Sequence, residues 1–407
     1  MPNIVIKPGE IWPSFKDLLN AYHSCRLKKA ANISQSQFEK YLGESLLQLQ
    51  KEIQTGSYHP HFMKCFIVSE PKPREIFAAD FRDRVVHHLV INLMEPIWEK
   101  KFIYSSFACR KEKGVHGALK YLQKEVRKIS RGGRSQVWVL QLDLARFFVS
   151  IHRPTLYQLM KKHAPFPEVS KLIQILYLHD GRVGAKIHNA AIHSELISEA
   201  KSWFTQSPDF GLPIGNLTSQ FGANVYLNGL DHFIERELKP KGYLRYMDDL
   251  LLIDRDYKKL KSWAQPIDLW LQKNRHQRLN PRKTKLVSLE KGITYLGYHA
   301  KQIGSRQEPL QFFSQKKTKW KLIESIRELT KLNKIPLFIK NHPLAPWLPN
   351  PKRQKKLATI NSRFGQLVHS KSYEFRKRTL KRFEDEIKSK SFSPYKIKEG
   401  YRAIRLH

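Results

Sequence analysis

The chain is poor in acid. Asp and Glu total 36 against 73 Lys and Arg, giving a net charge of +37 and an isoelectric point near 10. Such an excess fits a polyanionic partner. Cysteine is scarce: Cys25, Cys65 and Cys109 are odd in number and widely spaced, which argues against a disulfide framework and a zinc site. A reducing, cytoplasmic setting follows as the default. No apolar run reaches the roughly 18 residues of a transmembrane helix. The opening MPNIVIKPGEIW lacks the charged and apolar regions of a secretory signal. Neither terminus carries a Trp/Leu-faced basic anchor, so nucleic acid is favoured over a membrane surface. What is present is ordinary for a soluble protein: 407 residues, 41% hydrophobic, enough for two or three subdomains.

The stretch Gly242–Asp254, GYLRYMDDLLLID, organises the rest. Aromatic and branched residues flank two acids, which predicts a strand, a tight turn and a second strand. Asp248 and Asp249 are expected side by side at a solvent-accessible tip. Adjacent carboxylates in an apolar hairpin repel unless a cation neutralises them, and hard oxygen ligands suit Mg²⁺. Taken alone, the stretch also reads as a plain polar turn.

Upstream, residues 14–56 carry apolar residues at helical spacing, stopped by Gly56. HFMKCFIVSEPKPREIFA predicts two strands joined by a Pro-rich turn, with Lys72 and Arg74 placed to grip a triphosphate. DFRDRVVHHLVINLMEPIWEK predicts a helix. SSFACRKEKGVHGALKYL brings Arg110, Lys111 and Lys113 just ahead of a helix start near Val115, a weak phosphate-seat signal. VWVLQLDLARFFVSI begins as a buried-type strand and holds Asp143 within its apolar run. An ionised carboxylate there is expensive unless paired or metal-bound. Phe148, five residues on, could lie under the sugar of a nucleotide, whereas core packing suits Phe147 better.

Residues 179–210 read as an irregular polar insertion; His188, His193 and Glu195 match no ligand spacing and favour surface polarity. GLPIGN is turn chemistry opening a helix, and its small residues allow close approach to the backbone. After the hairpin come a helix, a turn and a strand, then a further hairpin element in ITYLGYHAKQI. Residues 301–407 hold 27 Lys and Arg against 8 Asp and Glu, a polyanion footprint carried on TKWKLIESIRELTKL and one long helical stretch from KKLATINS to FEDEIKSK. A Pro-rich IPLFIKNHPLAPWLPNPKR separates them.

One acid thus comes from an apolar strand and two from a distant hairpin. Two-metal phosphoryl transfer needs carboxylates from separate elements. The ordered series SEPKPRE, DFRDRVVHHLV, SSFACRKEKGVHGAL, LDLARFF, GLPIGNLTSQFGANVYLN, RYMDD, LNPRKT and TYLGY spans roughly residues 60–300 and resembles a reverse transcriptase. The resemblance implies an α+β right-hand polymerase fold: an N-terminal helical extension over 1–60, fingers and palm over 61–300, and a basic helical thumb over 301–407. The palm would be an antiparallel sheet with helices. It implies that Asp143, Asp248 and Asp249 are catalytic and, with the Leu144 carbonyl, hold two Mg²⁺ ions, with Mn²⁺ as a substitute. Lys72 and Arg74 match residues on the incoming triphosphate, and Phe148 the gate against a ribose 2′-hydroxyl. Gly215, Ser219 and Gln220 match the loop on the nascent base pair, and Lys283 the residue that protonates departing pyrophosphate. Arg110, Tyr246, Met247 and the primer-grip residue Gly297 fall to nucleic-acid contact.

Ile214 and Gln220 stand where retroviral enzymes carry Gln and Pro. The IGNLTSQ form resembles the prokaryotic branch of defence-associated "unknown group" and diversity-generating retroelement enzymes. The expected function is RNA-directed DNA synthesis on a dedicated non-coding RNA, from dNTPs to cDNA, in antiphage defence. An error-prone retroelement enzyme is the alternative, and a non-catalytic RNA-binding scaffold the alternative of another class. An RNA-directed RNA polymerase or a terminal transferase is a third reading, against which Phe148 argues. Protein partners would be an accessory protein or a second copy; no membrane is expected.

Overall fold

The computed structural model describes residues 12–27, 33–69, 72–188, 195–303, 308–332, 351–388, 395–397 and 404–406. In chain order the elements are α1 (Phe15–Arg26), α2 (Ile33–Lys40), α3 (Leu42–Thr55), β1 (Lys64–Val68), β2 (Arg74–Ala78), α4 (Phe81–Glu99), α5 (Gly114–Ile129) and β3 (Trp138–Asp143). Then follow α6 (Arg153–Lys161), α7 (Pro167–Leu178), β4 (Lys186–Ile187), α8 (Leu217–Phe233), β5 (Gly242–Tyr246), β6 (Asp249–Asp254) and α9 (Tyr257–Arg275). The last are β7 (Lys285–Ser288), β8 (Ile293–Tyr295), β9 (Tyr298–Gln302), β10 (Leu310–Ser314), α10 (Lys316–Leu332), α11 (Pro351–Val368), α12 (Tyr373–Lys388), β11 (Tyr395–Ile397) and β12 (Ile404–Leu406). This is a mixed α+β protein. No described helix is long and apolar enough to cross a membrane.

Two compact units emerge. The first takes Met1–Gly114, Leu140–Leu252 and Lys258–Lys285; the second takes Val115–Val139, Ile253–Tyr257 and Leu286–His407. In the first, local chemistry starts and stops the helices. Ser14 and Asp17 form a reciprocal capping box on α1, and Gly56, left-handed at φ +74°, ends α3. Asp80 caps α4 by accepting from the Arg82 amide. Strands β1 and β2 form the expected antiparallel hairpin, with Cys65 opposite Phe77, and β4 adds to β1 in parallel. Helix α8 is buried along most of its length, and Leu250, Leu251 and Leu252 of β6 are fully sequestered. Strand β6 lies between β5 and β3.

The second unit holds the three-stranded sheet β10-β9-β8 and a helical core of Leu322, Ile326, Leu329, Leu357, Ile360, Phe364, Leu367 and Leu380. Here the helical stretch from KKLATINS to FEDEIKSK is two helices, α11 and α12. Buried Ser372 breaks it: its hydroxyl donates to the Leu367 carbonyl while its own carbonyl accepts from the Arg376 amide, and the Lys371 amide is drawn off to Phe312. Strand β10 was not expected as a strand; it pairs with β9, Phe312 opposite Ala300.

Segment 179–210 is not polar throughout. Trp203 is buried against Met63, Cys65, Phe77 and Val149, and Glu75 of β2 accepts from both Ser202 Oγ and the Trp203 amide at 2.7 Å. Glu195, Ser198, Glu199 and Lys201 face solvent, while Trp203 and buried Ser202 tie the stretch onto the β1–β2 hairpin. His193 lies outside the described residues, as do most of the Pro-rich stretch before α11 and Glu70 and Pro71 of the hairpin turn.

Candidate active site

The β5–β6 hairpin turns at Met247 and Asp248, with Met247 left-handed at φ +58°. Asp249 already belongs to β6. The open tip expected for these acids is corrected: Asp248 and Asp249 are half-buried, because the strands carrying them are interior. Asp143 ends β3, the neighbour of β6, and is itself buried. The three carboxylates therefore share one electrostatic field. Burial raises Asp248 above the usual carboxylate range, and the Asp143 charge adds to it. Burial, then Asp248 and Asp143, push Asp249 up to about 7. The opposing cations are Lys283 and Arg74 at Asp248, and Lys283 and Lys72 at Asp249.

Lys283 is the nearest of these cations. Its Nζ donates to both oxygens of Asp143 at 2.7 Å, while its side chain stays about half exposed. The LNPRKT segment is held there by its backbone. The Asn280 amide donates to the Asp143 carbonyl, the Ala145 amide donates to the Arg278 carbonyl, and Leu144 bridges Leu279. Asn280 then caps the short turn Pro281–Lys283.

The remaining expected residues fall in different settings. Lys72 and Arg74 are exposed at the β1–β2 hairpin. Phe148 is half-buried, edge-on to buried Phe147 at 5.3 Å, with its carbonyl accepting from Leu212. Gly215 is exposed at φ +118°, and a Cβ there would meet Ile76 Cγ2 at 2.8 Å. Gln220 is half-buried, but Ser219 is sealed inside α8, so its hydroxyl does not face an open surface. Tyr246 and Met247 are half-buried beside the acids. Arg110 is committed to protein: it donates to Glu99 and to the carbonyls of Ile103 and Ser106, and its side chain is 5% exposed. Nucleic-acid contact by Arg110 requires that grip to open. Gly297 lies in the second unit, left-handed at φ +86° between β8 and β9. Among the described residues, no group of three or more His, Cys, Asp or Glu side chains is arranged to hold a metal by itself.

Sequence reading missed the support beneath the turn. Arg245 of β5 is fully buried and pairs with equally buried Asp231 of α8 through two 2.7 Å contacts. Burial works against its charge and Asp231 outweighs that, so the guanidinium is held above its ordinary range. The signal was legible: a charge in an apolar strand and another in an apolar helix, the same anomaly that singled out Asp143.

These acids sit in a domain of known type. A profile of the reverse transcriptase (RNA-dependent DNA polymerase) family matches residues 69–300, over half of the chain, and the protein belongs to that family. It thus carries a nucleotidyltransferase domain of the reverse transcriptase kind. Among characterised proteins it is 23% identical to Protein YkfC of Escherichia coli (strain K12) over 318 residues, 69% of this chain and 78% of that one. It is 24% identical to the group II intron-encoded protein LtrA of Lactococcus lactis subsp. cremoris over 201 residues, 49% of this chain and 29% of LtrA. The chain therefore spans under a third of LtrA's length, and it is related to a group II intron protein.

Proposed function

We propose that the protein copies a dedicated RNA into cDNA from dNTPs, with Asp143, Asp248 and Asp249 as its catalytic carboxylates. The observation that carries this is the placement of β3, which ends at Asp143, beside β6, which opens at Asp249, with Lys283 bonded to Asp143, inside the family-matched region. The donor set suits Mg²⁺, which takes one or two carboxylates and fills its shell with phosphate oxygens and water, so an all-protein cage is not required. Bound Mg²⁺ would lower the proton affinity of the attacking 3′-hydroxyl and neutralise phosphate charge. Mn²⁺ would serve in its place.

The chain's own residues do the rest. Lys72 and Arg74 hold the triphosphate from the fingers hairpin, and Phe148 excludes a 2′-hydroxyl. Gly215 and Gln220 pack on the nascent pair. Lys283, once it releases Asp143, hands a proton to the departing pyrophosphate. Tyr246 and Met247 face the primer end, and Gly297 and the basic helices of the second unit hold the duplex as primer grip and thumb. Residues 61–300 act as fingers and palm and 1–60 as an extension. Full-length protein with a primed RNA template should incorporate dNTPs in Mg²⁺, and Asp248→Ala should cut incorporation at least ~100-fold. Undiminished incorporation in that variant overturns the assignment.

For the biological role, the IGNLTSQ form of the base-pair loop supports the prokaryotic branch that holds both defence-associated and diversity-generating retroelement enzymes. The likeness to LtrA supports a second reading, an enzyme that serves an intron RNA. Sequencing the RNA and DNA that co-purify separates them. Phage-triggered cDNA from a small non-coding RNA supports defence, a variable-repeat template supports a retroelement, and a spliced intron supports the second reading.

A further inference from the structure

Arg245 carries more contacts than a strut needs. Its Nε and Nη2 grip the two oxygens of Asp231, each at 2.7 Å, which fixes the plane of the guanidinium. Tyr243 donates its hydroxyl to the same carboxylate at 2.8 Å. With the plane fixed, Nη1 has one direction left. It donates at 3.1 Å to Asn224 Oδ1 and at 3.1 Å to the carbonyl of Met247. Met247 is the left-handed residue of the catalytic turn, and an L-residue stays in that region only where its surroundings enforce it. Asn224 in turn donates to the Ala108 carbonyl at 2.8 Å. The backbone of Arg245 bonds Ser105 and Phe107 on the adjoining loop. All four side chains are buried.

We propose that Arg245 is a positioning residue for nucleotidyl transfer: anchored by Asp231, it sets the Met247 carbonyl and so aims Asp248 and Asp249 toward Asp143. It touches neither substrate nor phosphate and acts only through the turn. The same hub joins the turn to α8, whose first residues carry the base-pair loop, so the acids and the nascent pair share one reference frame. The catalytic part of this inference rests on the function proposed above; the mechanical part does not.

The test removes the pair as a unit, Arg245→Met with Asp231→Leu, because two apolar residues of similar size replace a buried pair without leaving a bare charge. Thermal melting and circular dichroism check that the variant is folded. Amide hydrogen exchange should then accelerate at least ~10-fold at Asp248, Asp249 and Leu250 while Leu140–Leu142 of β3 keep their protection. kcat should fall ~10–100-fold with KM for dNTP within ~3-fold, as expected when aim is lost and binding is kept. Arg245→Lys should fail to rescue either readout, since an ammonium keeps the charge but lacks the fork. A folded double variant with unchanged turn exchange overturns the proposal, and so does one with wild-type kcat. If the wild-type protein incorporates no dNTP, the proposed function fails, while the exchange measurement still decides whether Arg245 sets the turn.

Discussion

Two aspartates lie close to the turn at Met247 and Asp248, each gripped by a cation at 2.7 Å, and they differ in closure. The Arg245–Asp231 pair is sealed, 0% exposed on both sides; in the Lys283–Asp143 pair the lysine is 51% exposed and the aspartate 9%. A planar fork in a closed interior is a fixed part. A single ammonium on a flexible stem, reached by water, is one that lets go. The contact distance is the same in both, so burial and donor geometry, not proximity, separate a pair that holds shape from one that can change partners.

The largest expected effect comes from cutting the sealed pair on one side. Asp231→Ala leaves a buried, unpaired guanidinium and should cost about 3–5 kcal/mol, read as a lower urea midpoint. A loss under about 1 kcal/mol would place the two pairs in one class. The open pair should respond in the opposite currency. Lys283→Met should lower the midpoint by less than Asp231→Ala does, because solvent already screens the lysine, although the variant leaves buried Asp143 without its partner. Its kcat should nonetheless fall ~10–100-fold through loss of the proton donor. Wild-type turnover in this variant would reduce Lys283 to a neutral neighbour of Asp143.

The smallest effect concerns pH. Asp249 sits up at about 7 in the folded protein, owing first to burial and then to Asp248 and Asp143, against about 3.9 in an unfolded chain. Between those values the folded state keeps a proton that the unfolded state releases, so stability should fall as pH rises from ~4 to ~7. Melting curves should show the decline, and Asp249→Asn or added Mg²⁺ should flatten it. An identical slope in the variant would dissociate Asp249 from the effect.

The fold and the acids were legible for different reasons. Strand β6 declares itself as an unbroken apolar run, and the β1–β2 hairpin as two strands around prolines, because local pattern alone determines them. Asp143 was legible as a charge in an apolar strand. Asp231 and Arg245 gave that same signal, but each alone reads as a misplaced charge, and only the packing of α8 on β5 makes them partners. Arg110 reads from sequence as a free cation, yet Glu99 and two carbonyls claim it. Ser219 reads as a loop hydroxyl, yet lies inside α8. Trp203 was hidden in a polar stretch because one buried ring leaves no periodicity.

The hydrogen bond from the Phe77 amide to the Ile214 carbonyl, with Ile76 packed where a Cβ on Gly215 would go, has a mechanical result. Strand β2 and the loop opening α8 are stitched at neighbouring residues. A tilt of the hairpin that bears Lys72 and Arg74 is therefore transmitted to the surface at Gly215. Under the roles proposed for Lys72, Arg74 and Gly215, grip on one end of a nucleotide and fit against its other end would be one coupled movement.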